Sequence, residues 1–313
     1  MRRPKVLILA NLHDFSTDKV CVALADAGVP FLRLNRDALI DLRVRLDPVT
    51  PTLEVQHGAN AWVIDEGLTS VWFRQPTYLR NPEGRILSAA EQLSRSQAMA
   101  FVRALSVFDH TRWVNDPAAT YRAENKAWQL RVARQVGFDV PQTLITNDAE
   151  AATSDRFGSV VALKAVDTVL LREHGDQLFA FTQLLPLVEC REEDLAAVPV
   201  ILQAALQNKL DLRVTVVRDR LWCVAIRCGG GGVEGDWRLR KKDELAYEAY
   251  DLPPEIEAVC HALMQRMNLV MGCIDLAIAD GRVWFIEINP TGEWGWLDTP
   301  DRPIAKVIAE VLA

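Results

Sequence analysis

The chain has 313 residues and a mass of 35.1 kDa, enough to bury a sizeable core and divide into two or three subdomains. Half of the residues are hydrophobic and a quarter are charged, which excludes a disordered chain. A net charge of -7 with a pI near 5.4 argues against broad nucleic-acid binding, and six cysteines without a Cys-x-x-Cys pair argue against zinc and disulfide scaffolds.

The first apolar run, residues 5–10, stops at Asn11 and His13-Asp14. It is too short for a signal peptide or membrane span and predicts a buried strand in a cytoplasmic protein without a membrane partner. A helix over 17–27 and a strand over 31–34 follow, so the chain opens as a small α/β domain with a parallel crossover. Residues 84–108 carry a long helical pattern, and Asn115-Asp116-Pro117 punctuates its exit. Residues 118–136 predict one amphipathic helix stopped by Gly137. Strands are then expected over 142–146, 159–164, 200–203, 211–217 and 221–228, with one helix over 254–267. That second part is α+β.

The last strands are the most informative. Met271-Gly-Cys-Ile-Asp-Leu-Ala-Ile-Ala279 and Phe285-Ile-Glu-Ile-Asn-Pro-Thr-Gly292 read as a hairpin holding two carboxylates and an amide, hard oxygen ligands suited to magnesium brought in with nucleotide phosphates. A two-residue turn would set Asp275 opposite Ile286, stranding the carboxylate among apolar groups. A three-residue turn with Gly281 as a left-handed bulge aligns Ile274, Leu276 and Ile278 with Trp284, Ile286 and Ile288. Asp275, Glu287 and Asn289 then share the opposite face, and this register is the expected one.

The Asp-x11-Glu-x-Asn pattern at Asp275, Glu287 and Asn289 resembles the metal-binding end of ATP-grasp ligases. Trp113-Val-Asn-Asp-Pro117, Arg122-Ala-Glu-Asn-Lys126, Gln129-Leu130, Gly137-Phe138, Val140-Pro-Gln-Thr-Leu-Ile-Thr-Asn147, Asp236-Trp237-Arg238 and Val71-Trp72-Phe73-Arg74 resemble the microviridin-type (graspetide) peptide ligases, over nearly the whole chain. The resemblance implies an ATP-grasp fold, α/β and α+β, with a pre-ATP-grasp α/β domain over 1–115, a central subdomain over 116–200 and a C-terminal subdomain with the metal site over 201–313. It also implies ATP and Mg2+ as cofactors, a ribosomal precursor peptide with a leader segment as partner, and a homodimer.

Carried onto this sequence, the family's phosphate-binding lysines fall at Lys126 and Lys164. An ammonium in the apolar run Val160-Val-Ala-Leu-Lys164 is itself expensive to bury without an anion. Gln203, Ala204 and Leu206 resemble the hinge where adenine meets the backbone, although the family often has an acid where Ala204 stands. Asp211 takes the place of an acid associated with the ribose. Arg213 and Arg238 are the expected catalytic residues, gripping the carboxylate to be activated or the transferred phosphoryl group; a salt bridge with Asp211 or Asp236 is the competing role. Gly229-Gly-Gly-Gly232 lacks the Gly-Lys-Ser/Thr ending of a phosphate loop and reads as a connector. The segment 165–174 has no glycine-rich flap. Trp294 and Trp296 read as packing residues before peptide-channel ones. The activity implied is activation of Asp or Glu side chains of a peptide as acyl phosphates, followed by ester or amide closure with Ser, Thr or Lys. A glutamate-ligase-like enzyme adding amino acids to a protein or small molecule is the alternative, and a nucleotide-binding regulator without chemistry is a third reading.

Overall fold

The computed structural model describes all residues except 75–86, 168–169, 174–175 and 180, and the backbone alone of Leu170–Glu173, Asp176–Phe179 and Lys242. The start of the helical pattern at 84–86, and residues 168–169 and 174 of the segment expected to lack a glycine flap, lie outside the described residues. Two compact units form: Met1–Thr120 with Asn268–Met271 and Pro290–Ala313, and Tyr121–Met267 with Gly272–Asn289.

In the first unit, β1 (Val6–Ala10), α1 (Phe15–Asp26) and β2 (Phe31–Asn35) make the expected crossover. Strands β3 (Arg43–Asp47), β4 (Thr52–His57) and β5 (Asn60–Ile64) form a separate antiparallel sheet. The chain then returns through β6 (Ser70–Phe73), α2 (Ala89–Ala104) and β7 (Arg112–Val114) to complete a parallel sheet of order β2-β1-β6-β7. Every residue of β1 is buried, as a parallel strand covered on both faces requires. Helix α2 begins at a capping box in which Ser88 and Glu91 satisfy each other's backbone N–H. The side chain of Asn115 accepts from Val270 N (2.7 Å) and Met271 N (3.0 Å) and donates to the carbonyls of Met271 (2.8 Å) and Pro290 (3.0 Å), stitching the later segments into this unit.

The helix expected over 118–136 is two helices, α3 (Pro117–Ala123) and α4 (Lys126–Val136). Asn125 leaves helical geometry, and its side chain accepts from Trp128 N at 2.9 Å, starting a new helix at Lys126. A short polar side chain that competes for backbone N–H groups favours a cap over a helix interior. Gly137, at φ 115°, ends α4 as predicted.

Further along the second unit lie β8 (Thr143–Thr146), α5 (Ser154–Phe157), β9 (Val160–Lys164), β10 (Leu170–Glu173), β11 (Asp176–Phe179), β12 (Gln183–Pro186), α6 (Glu192–Leu195) and β13 (Val200–Ala204). They build a four-stranded sheet of order β12-β9-β13-β8 and the hairpin β10-β11. Strands β14 (Leu210–Val217), β15 (Arg220–Cys228) and β16 (Leu245–Ala249), helix α7 (Pro254–Arg266), and strands β17 (Met271–Ala279) and β18 (Arg282–Asn289) follow, with sheet order β16-β15-β14-β17-β18.

The β17-β18 register corrects the expected one. Asp280 (φ 51°) and Gly281 (φ 71°) make a two-residue turn between the paired Ala279 and Arg282. An Asp-Gly pair with both residues left-handed is the favoured tight hairpin turn. The register then shifts: Leu276 pairs with Phe285 but Asp275 with Glu287, leaving Ile286 as the extra residue of a bulge. Of the expected apolar alignments, Ile274 opposite Ile288 is present, while Leu276 faces Phe285 and Ile278 faces Val283. Beyond the bulge Asp275 and Glu287 are directly paired, and Asn289 pairs with Cys273, so the oxygen-bearing face exists as expected.

Candidate active site

The sheets of the second unit place its chemistry. In the four-stranded sheet Thr143 pairs with Gln203 and Gln203 with Ala162, so Lys164, two residues beyond Ala162, joins them on one face. Strand β9 lies inside the sheet, so Lys164 is not on a solvated edge. Its ammonium donates to Gln203 Oε1 at 2.6 Å. Burial pushes its pKa down to about 8, against the attraction of Glu287. Lys126, at the first position of α4, donates to the Ala165 carbonyl at 3.1 Å.

In the five-stranded sheet Asp211 and Arg213 share a face of β14. Arg213 Nη1 donates to both oxygens of Asp275, at 2.8 and 3.0 Å. Burial raises the Asp275 pKa although Arg213 opposes it. Burial also works against the Arg213 charge, but Asp275 holds the guanidinium protonated. Arg238 follows the glycine run. Its Nε and Nη2 donate to the two oxygens of Asp236, each at 2.8 Å, and Nη1 donates to Glu287 at 3.2 Å. For Glu287 burial alone would raise the pKa; Arg238, Lys126, Lys164 and the Asn289 amide outweigh it and keep the carboxylate ionised.

Asp211 is ion-paired with Lys209, which sequence reasoning missed, and burial pushes its carboxyl up to about 6 even so. The signal available was position: Lys209 stands two residues before Asp211, just ahead of the strand. The glycine run has a specific packing role there. A Cβ on Gly232 would lie 2.0 Å from the Lys209 carbonyl oxygen, so only glycine lets the loop close on that turn. Asp236 takes the competing role named from the sequence, as the salt-bridge partner of Arg238.

Lys164, Gln203, Ala204, Leu206, Asp211, Arg238, Asp275 and Glu287 line one cleft, together with Lys209, Asp236 and Trp237. Arg213 reaches it through Asp275, and Asn289 through Asp275 and Glu287, to which its amide nitrogen donates at 3.3 and 3.4 Å. Lys126 contributes its charge at Glu287. The donor set of two carboxylates and one amide fits a hard cation such as magnesium; turning the Asn289 amide over would present its oxygen beside both carboxylates. Trp294 is fully buried and packs as core, whereas Trp296 is 37% exposed.

No model of a known protein family matches the chain, and no curated protein matches it. Solved structures do. The chain is similar to a RiPP-associated ATP-grasp ligase of Chryseobacterium gregarium, in complex with ADP and a leader and core peptide, at 25% identity over 100% of this chain and 96% of that one, with a TM-score of 0.83. It is similar to the macrocyclase MdnC of Microcystis aeruginosa, bound with its precursor peptide MdnA, at 26% identity over 98% of each chain and a TM-score of 0.82. The macrocyclase MdnB of the same organism gives 25% identity over 99% of each chain and 0.76. Covered from end to end in these matches, the chain resembles the graspetide-type ATP-grasp ligases.

Proposed function

We propose that the protein is an ATP- and magnesium-dependent ligase that activates Asp or Glu side chains of a ribosomal precursor peptide and closes ester or amide macrocycles on Ser, Thr or Lys. The observation that carries this reading is the convergence of Lys164, Arg238, Asp275 and Glu287 on one cleft whose wall also holds the apolar hinge residues Ala204 and Leu206. In that cleft the backbone near Ala204 and Leu206 receives the base and Asp211 accepts from the ribose hydroxyls. Lys126 and Lys164 neutralise the phosphates. Asp275, Glu287 and Asn289 would hold magnesium, which would supply charge stabilisation for the phosphates.

Arg213 and Arg238 draw the substrate carboxylate and the transferred phosphoryl group together. The carboxylate oxygen bonds to the γ-phosphorus and ADP leaves; a hydroxyl or amine then bonds to the acyl carbon, loses its proton and releases phosphate. In the same reading the lobes are 1–115, 116–200 and 201–313, the reaction takes place in the cytoplasm, and the precursor is held through a leader segment. A homodimer is also proposed, supported by the exposed strand Arg43–Asp47 at the edge of its three-stranded sheet; light scattering at one concentration series tests it.

The functional test is intact-mass spectrometry of the peptide encoded beside the gene, incubated with purified protein, ATP and magnesium. Loss of whole waters that requires ATP is the expected result. ATP consumption with an unchanged peptide would move the reading to ligation of amino acids or small molecules, and no ATP consumption would overturn it.

A further inference from the structure

The Lys164 ammonium ends a chain of hydrogen bonds whose direction is fixed at its far end. The Thr143 hydroxyl donates to the Pro141 carbonyl at 2.7 Å, so its one hydrogen is committed. Its oxygen is left as an acceptor, and Gln203 Nε2 donates to it at 2.9 Å. That contact turns the other end of the amide, Oε1, towards Lys164, which donates to it at 2.6 Å. With the amide reversed, a nitrogen would face an ammonium that can only donate, and an oxygen would face a hydroxyl with no hydrogen to offer. Both contacts would be lost together.

We propose that Thr143 is a positioning residue for nucleotide binding: acting through the Gln203 amide, its hydroxyl fixes where the Lys164 ammonium stands in the phosphate-binding cleft. The inference rests on the ATP-dependent reading above. Thr143 does not line that cleft. It lines a separate groove with Arg131, Arg134, Arg282 and Trp284, while Gln203 and Lys164 line the cleft itself. The hydroxyl's contact towards the cleft is Gln203, so its effect on the nucleotide passes through that amide. Strand pairing supports the arrangement: Thr143 and Gln203 are directly opposed, and Gln203 and Lys164 lie diagonally on the same face.

Valine keeps the shape and β-branching of threonine and removes the hydroxyl. In Thr143→Val the Gln203 amide loses the partner that orients it, and the ammonium loses a fixed acceptor. The experiment is calorimetric titration of the full-length protein with magnesium and ADP, and separately with adenosine, in wild type, Thr143→Val, Thr143→Ser and both the Lys164→Met single and the Thr143→Val/Lys164→Met double variant. ADP affinity is expected to fall about tenfold in Thr143→Val with adenosine affinity unchanged. Serine should restore it, and valine should add nothing in the Lys164→Met background. Equal losses for ADP and adenosine, failure of serine to rescue, or an additive effect in the double variant would each overturn the positioning role while leaving the nucleotide site standing. Wild-type protein that binds neither ligand would overturn the nucleotide reading itself, and the inference with it.

Discussion

Buried arginines occur in both units, and they differ in what their partners face. In the first unit Arg74 spends its guanidinium on its own chain: Nε donates to Asp14 at 3.0 Å, Nη1 to the Thr291 carbonyl at 2.8 Å and Nη2 to Glu293 at 3.1 Å. Asp14 also caps α1 by accepting from Thr17 N, and its pKa is lowered because Arg74 outweighs the effect of burial. This is a closed knot that ties a helix start to a later segment. In the second unit the buried Arg213 and the more exposed Arg238 pair with carboxylates that line a cleft beside Lys164. In the proposed function those ion pairs exchange partners: phosphate for carboxylate at the arginines, and a cation for the arginines at Asp275 and Glu287. A buried charge is thus no sign of a site by itself. Opposite charges turned towards a shared open space are.

The largest expected effect tests the closed knot. Arg74→Met leaves Asp14 buried without its cation and should cost about 3–5 kcal/mol in a denaturant titration, while magnesium-ADP affinity measured on the folded protein stays at the wild-type value. A variant of normal stability that binds ADP poorly would erase the contrast between the two regions. Glu287→Gln is the reciprocal experiment. ADP formation should drop by about 10²–10³-fold with little change in unfolding, because the carboxylate serves ligands more than the fold. Retained turnover would remove Glu287 from the reacting centre.

A smaller effect follows from Lys164, whose pKa is lowered from 10.5 to about 8 by burial. Below that value the free protein already carries the ammonium that phosphate needs, and this group gives affinity no slope. Above it, binding must take up a proton, because phosphate favours the charged form. ADP affinity should therefore fall by about tenfold per pH unit above about 8. Lys164→Met should flatten the profile. A wild-type profile that is flat across this range would show the ammonium to be uninvolved.

The sequence disclosed the oxygen-bearing hairpin face and the half-buried Lys164 because each rests on period-two alternation in strongly apolar strands. It did not disclose the partners Lys209 and Thr143, since which polar tips meet depends on loop closure and rotamers. Strand β3 was illegible for a different reason: four of its five residues are exposed, so no buried face enforces a pattern. The C-terminal helix Ile304–Leu312 is short and mostly buried, and its polar stripe is reduced to the exposed Lys306 and Glu310, one turn apart.

The position of the bulge was ambiguous on physical grounds. An extra residue at the turn or one at Ile286 brings Asp275 and Glu287 to the same face, and hydrophobic phasing cannot separate them. The separating experiment carries the smallest effect. Gly281 sits at φ 71°, where a Cβ is strained, so Gly281→Ala should cost about 1 kcal/mol of stability. Because the bulge lies between the turn and the paired Asp275 and Glu287, the register of the ligand end is set independently of the turn. Magnesium-ADP affinity should then remain at the wild-type value in Gly281→Ala. A loss of affinity much larger than the loss of stability would mean that the turn, and not Ile286, holds the carboxylates in register.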